Sequence, residues 1–315
     1  MILTKAFERY LVSRVGNPWS NTYFVDGPNG GALASGADPA NAISTIQIAV
    51  NKCARGDRVL IRPQDYAIGH GIERYEECVT IAAVNTGKNY AGGTSYPILR
   101  PSDISIIGVM NTINPEFGVR WKFGTTYCLI NDIPALHVEN IGFFAEGSTA
   151  AVLLRNNGIS DTRRGTDGAT FYNCNFKGGA LVIADGGDGT TVEECTFHTA
   201  YGGGSGGLGA IYVSCSNNPG ARLRIVANRF YGGSTTEQPA TCYITILPPM
   251  ALALVEDNKF GKIPGDGHYF NADGAANTGY FLNNIFAYAD VVLETSIHIG
   301  SMIQASNRDT IGFIA

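Results

Sequence analysis

Charge is scarce in this chain. Only 16% of its 315 residues are Asp, Glu, Lys or Arg, against roughly 25% in an ordinary soluble protein. The 22 cations and 27 anions leave a net charge of −5, and the cations are scattered. The tightest pair, Arg163-Arg164, sits in a polar run from Ile159 to Gly165. A basic stripe is the minimum for gripping a phosphate backbone, and with none in the sequence no nucleic-acid partner is expected. No apolar run approaches the ~18 residues that read as a membrane span, so no membrane partner is expected either. Residues 1–16 intersperse Lys5, Glu8, Arg9 and Arg14 among apolar side chains. They lack the uninterrupted apolar core of a secretory signal, and assembly in a cytoplasm is the expectation.

The seven cysteines (53, 78, 128, 174, 195, 215 and 242) contain no CxxC pair and no metal-ligand spacing. An odd number of them, without a secretory signal, points to free buried thiols. No metal and no cofactor is expected. What the chain has instead is 44% hydrophobic residues and 40 glycines. That composition suits short strands joined by tight corners.

One pattern recurs: an apolar residue, two variable residues, Asn or Cys, one more residue, then Phe. It runs Phe171 to Phe176, Val192 to Phe197, Ile225 to Phe230, Val255 to Phe260 and Phe281 to Phe286, with Cys174, Cys195, Asn228, Asn258 and Asn284 at the fourth position. An earlier variant, Val138-Glu139-Asn140-Ile141-Gly142-Phe143, reads with Asn140 in the Asn role. From Phe143 on, successive Phe positions are 33, 21, 33, 30 and 26 residues apart. A second apolar strand follows most of them, as in residues 151–154, 180–183, 210–213, 243–246 and 291–293.

Two short strands per repeat cannot fold alone, because each coil has unpaired edges above and below. Stacking the coils pairs every strand with its neighbours at ~4.8 Å per coil, so seven to nine coils make a rod roughly 35–45 Å long. Phe then stacks in the interior, and Asn at one corner bonds the coil next to it. Cys174 and Cys195 are expected side by side on adjacent coils. Before the coils, Ile43, Ile46, Val50 and Cys53 mark one helix face. Asp38-Pro39 is its expected start and Gly56 its stop. Such a helix would cover the exposed end of the core.

Residues 23–27 (Tyr-Phe-Val-Asp-Gly), 43–51 and 56–63 (Gly-Asp-Arg-Val-Leu-Ile-Arg-Pro) resemble the opening of pectate-lyase-like β-helix proteins. The pattern departs at Pro63-Gln64-Asp65-Tyr66, where a Gly would precede the Tyr. At the level of pattern the resemblance covers roughly residues 22–290. It implies an all-β, single-stranded, right-handed parallel β-helix solenoid with a short N-terminal capping helix. The expected organisation is an N-terminal arm (1–21), an entry strand and capping helix (22–57) and the β-helix (58–315). The fold hosts polysaccharide lyases, glycoside hydrolases and phage virion proteins. Residues 1–20 with the start that follows them are similar to phage structural proteins of this type.

The arm and the chain end carry the candidate partner contacts: Phe7, Tyr10 and Leu11, then Ile311, Phe313 and Ile314. The ordered catalytic motifs of pectate lyases and polygalacturonases are missing. The expectation is therefore a non-enzymatic virion structural protein, a capsid decoration or cement protein. It would be a homotrimer bound to other virion proteins, the major capsid protein first among them. The alternative is a tailspike-like protein that binds or depolymerises a glycan. On that reading Glu193, Glu194, Asp185 and Asp188 would supply the two carboxylates that glycoside hydrolysis needs.

Overall fold

The computed structural model describes residues 21–63, 75–82, 103–109, 118–122, 127–145, 150–155, 166–184, 188–198, 209–214, 220–231, 242–247, 249–261, 268–272, 274, 276–286 and 297–309, with four two-residue strands between 84 and 100. The chain is a parallel β-helix. Its strands stack into three long sheets of ten (sheet A), nine (sheet B) and eight (sheet C) strands, and every pairing in them is parallel.

Each full coil has three strands, one more than the repeat suggests. The recurring pattern is itself two strands bent at a corner. In one coil Thr191–Glu193 lies in sheet A, Thr196–His198 in sheet B, and Ile211–Ser214 in sheet C. Between A and B a single residue turns the chain with positive φ: Asn140 (58°), Asn173 (49°), Glu194 (53°), Ala227 (58°), Asp257 (56°), Asn283 (54°) and Ser306 (57°). A non-Gly residue there costs roughly 1–2 kcal/mol. The fold tolerates it because the next position satisfies the buried backbone at the bend.

That next position is an asparagine ladder. Asn258 Oδ1 accepts from both the backbone N–H and the side-chain amide of Asn228, each at 3.0 Å, while Asn258 Nδ2 donates to the Ile225 carbonyl at 2.9 Å. Asn284 repeats these bonds to Asn258, and Asn307 repeats them to Asn284. At the other end Asn228 Oδ1 accepts from the Cys195 N–H at 2.9 Å, and Cys195 Sγ from the Cys174 N–H at 3.4 Å. One further coil back the register gives the position to Ile141, not Asn140. Asn140 is the turning residue of that coil, and its Oδ1 accepts from Asn173 Nδ2 at 2.7 Å.

Two residues after the ladder, the rings pile up inside sheet B. Phe143, Phe176, Phe197, Phe230, Phe260 and Phe286 are all buried, with successive centroids 5.1, 4.7, 5.0, 4.8 and 5.0 Å apart. This is the coil spacing itself. Trp121 extends the column 5.5 Å from Phe143, with the buried Tyr75 paired to it one coil earlier, and no repeat in the sequence marks it.

The entry strand Thr22–Val25 pairs in register with Arg58–Ile61, so it is the first strand of sheet A. The expected helix splits in two. Asp38 caps a 3-10 turn at Pro39–Asn41, Ile43 bridges to Val25, and the α-helix proper runs Ile46–Lys52 with Thr45 as its cap. Glu77 holds that helix end, its two oxygens accepting from the N–H groups of Ile46 (2.7 Å) and Gln47 (3.0 Å). Burial raises the Glu77 carboxyl above its usual range. Gln47 then bonds both backbone groups of Thr80, at 2.8 and 3.2 Å. A helix side chain thus satisfies the outer strand of sheet C, Val79–Ile81, which would otherwise be an open edge.

The six described cysteines are free, and Cys174 and Cys195 are neighbours on adjacent coils. Burial pushes the thiols of Cys53 and Cys242 up to about 12, so few thiolates exist at neutral pH. Alkylation of the unfolded, unreduced chain is expected to give seven labels, while native Cys53 and Cys242 react slowly. Five labels or fewer would reveal a disulfide.

Candidate functional site

In-register stacking turns every outward position into a column running along the rod. On sheet A one column reads Glu139, Tyr172, Glu193, Val226, Glu256, Leu282. The column beside it ends Arg224, Leu254, Tyr280, Ile303. Sheet A's outer face thus carries Glu139, Glu193 and Glu256 along one column and Arg58, His137 and Arg224 along the other, and it turns apolar toward the last coils. There Tyr280 is 47% exposed and Ile303 59%, and Leu252, at the corner leading into the sheet, is 60% exposed.

The carboxylates singled out in the sequence fall on this face and its corner. Glu193 points outward from sheet A and Glu194 is the turning residue, its Oε2 accepting from the Tyr172 hydroxyl at 2.8 Å. Asp188 is not brought to them. It lies five residues back from Glu193 along the coil and accepts two hydrogen bonds from Arg222, at 3.2 and 2.9 Å. Asp185 lies outside the described residues, as do Phe7, Tyr10, Leu11, Ile311, Phe313 and Ile314.

Glu139 was not among the carboxylates singled out from the repeat. Its side chain is 4% exposed and meets His137 Nε2 at 3.0 Å, and burial raises its carboxyl above the usual range. Glu139 and Glu193 stand in one column two coils apart, about 9.6 Å at the strand spacing. Glycoside hydrolysis needs two carboxyl groups flanking a sugar that can reach both. Here both project the same way from one flat sheet, and one of them is enclosed. Among the described residues no group of three or more His, Cys, Asp and Glu is placed to hold a metal.

Sheet B carries the opposite charge. Its outward columns contain Arg120, Lys122, Lys177, Arg229 and Lys259, with Glu76 at one end. Cations that are scattered in sequence thus share one face, with Gly142, Asn175 and Thr196 between Arg120 and Arg229 in their column. The signal was present in the repeat: the residue before Phe230 is Arg229 and the residue before Phe260 is Lys259. Aromatic rings lie among these charges. Arg120 sits 5.6 Å and Lys177 6.0 Å from the Phe144 ring, and His198 stacks on Tyr231 at 5.1 Å. Burial first, and then Lys177, hold the His198 imidazole below its usual value. Sheet C presents Ile130, Leu153, Val182 and Tyr212 outward in register, beside the buried Asp132 that Arg155 holds at 2.7 and 3.2 Å.

The chain matches no protein-family model and no curated protein. Among solved structures it is similar to a rhamnogalacturonan lyase, with a TM-score of 0.53 and 13% identity over 92% of this chain and 74% of that one. It also aligns with the GH136 lacto-N-biosidase from Eubacterium ramulus, with a TM-score of 0.40 and 10% identity over 98% and 70% of the two chains. At such identities the likeness to the lyase is one of fold.

Proposed function

We propose that this protein is a non-enzymatic structural protein of a phage virion, a decoration or cement protein that binds the capsid surface. One observation carries the part of this reading that concerns contact: the exposed apolar end of sheet A, where Tyr280 and Ile303 stand in one column on successive coils and Leu252 is exposed at the corner of the coil before. An apolar patch on a rod this regular is a surface for another protein. The virion setting rests on the resemblance of the opening residues. The carboxylates support the same reading, since Glu194 and Asp188 are engaged in bonds within the rod and Glu139 is enclosed.

The test is co-sedimentation with intact particles. The wild type should travel with them, and Glu193→Gln with Glu194→Gln should bind equally well, because neither carboxylate is part of the contact. A protein that stays in the supernatant would overturn the proposal. A second reading, glycan binding, draws on the cations and rings of sheet B. It predicts retention on an acidic polysaccharide column that is lost on replacing Arg229 and Lys259 by Ala.

A further inference from the structure

We infer that the outer face of sheet B holds a subsite for one uronic acid unit of a glycan, with Gly261 as its floor, Tyr231 as its wall and Arg229 and Lys259 as its anion clamp. This rests on the second reading above, sheet B as a glycan-binding face, and it names the sugar and the place where it sits.

One outward column of sheet B runs Lys122, Phe144, Lys177, His198 and Tyr231. His198 and Tyr231 stack with centroids 5.1 Å apart and planes 17° from parallel. Their rings are piled along the rod, so one face of Tyr231 meets His198 and the other turns toward the following coil. In that coil the column passes to Gly261, whose N–H donates to the Phe230 carbonyl at 2.6 Å, continuing the pairing of Phe230 with Phe260. Glycine brings no side chain, so the pile stops at Tyr231, which is 44% exposed. Flat rings on successive coils of the core column stand 4.7 to 5.1 Å apart. The step over Gly261 is therefore one ring high. An aromatic face is electron-rich and attracts the C–H groups on the face of a pyranose, whose polar substituents stay at its rim.

Charge selects the sugar. Arg229 and Lys259 are both exposed and stand directly opposite each other in the column beside Tyr231 and Gly261. Among the described strand pairings this is the one place where two Lys or Arg residues meet in register. Like charges directly opposite disfavour the pairing, and neither residue makes an ion pair among the described residues. A carboxylate lying between them accepts from both and relieves the repulsion. Each cation is two residues from the ring step along its own strand, about 6.6 Å, a gap that a long cationic side chain closes. The corner carboxylate of the Lys259 coil, Asp257, lies beyond Lys259 as seen from Gly261.

The experiment passes the full chain over immobilised alginate, a polymer of uronic acids, and elutes it with small competitors at equal ionic strength. Glucuronate should release the protein. Glucose, which has the ring without the charge, and gluconate, which has the charge without the ring, should not. Tyr231→Ala, which removes the wall, and Gly261→Leu, which fills the step, should each weaken retention about tenfold. Tyr231→Phe should be retained like the wild type. Gly261 is not among the positive-φ glycines, so a side chain there strains no backbone, and circular dichroism checks that every variant is folded. A wild type that alginate does not retain overturns the inference together with the glycan reading. Release by glucose or gluconate as readily as by glucuronate overturns the subsite alone, and so does unchanged retention of Tyr231→Ala and Gly261→Leu. Sheet B would then stand as a general anion-binding face.

Discussion

Replacing Phe230 by Ala is expected to destabilise the fold by about 3–5 kcal/mol, the range for deleting a buried aromatic ring. The ring is 1% exposed and lies between Phe197 at 5.0 Å and Phe260 at 4.8 Å, with Tyr243 at 5.7 Å on its flank. The coils on either side are fixed by their own ladders and cannot collapse into the gap, so the cavity stays open. Phe230→Leu should recover most of the loss because it refills much of the volume. Chemical denaturation followed by fluorescence measures both. A Phe230→Ala protein with an unchanged midpoint would mean that the column does not hold the coils together.

Asn258→Ala should cost a comparable amount for a different reason. The substitution leaves two buried donors on Asn228 and the Ile225 carbonyl without the partner they have now. Each orphaned donor costs about 1–3 kcal/mol, so the two on Asn228 account for a loss of about 2–6 kcal/mol. Asn258→Cys should be milder, since Cys174 and Cys195 already fill this row and Cys195 Sγ accepts the N–H of Cys174. Equal damage from Ala and Cys would show that side-chain volume, not hydrogen bonding, sets the cost at the corner.

The stacked Phe column, the Asn ladder and the Cys174–Cys195 contact were legible because a solenoid repeats its physics. A position that must fill the core or satisfy a bend is filled the same way in each coil. Two things were hidden for the same reason. The corner residue has no fixed identity, since Asn, Glu, Ala, Asp and Ser all adopt positive φ there, so one pattern concealed two strands and Asn140 was misplaced by one position. Trp121 escaped because the column accepts any large flat ring and the first coils do not carry the motif.

The faces were harder to read than the core. Outward residues are free to vary, and only the register places Glu193 with Glu256, or Lys177 in line with Lys122. Loop lengths make coils of 21 to 50 residues, which scatters face-mates irregularly along the sequence. Glu139 is the clearest case. Its burial comes from packing around the sheet A face, and no feature of its neighbours in the chain announces it.

The central claim is that the rod holds other molecules and breaks no bonds. Incubating the wild type with host capsule or lipopolysaccharide, and assaying for new reducing ends or unsaturated products, tests that claim most directly. The account predicts no product above the protein-free control. Oligosaccharide released by the wild type and lost in Glu193→Gln/Glu194→Gln, where removing a general acid or base costs about 10²–10⁴ in rate, would contradict it.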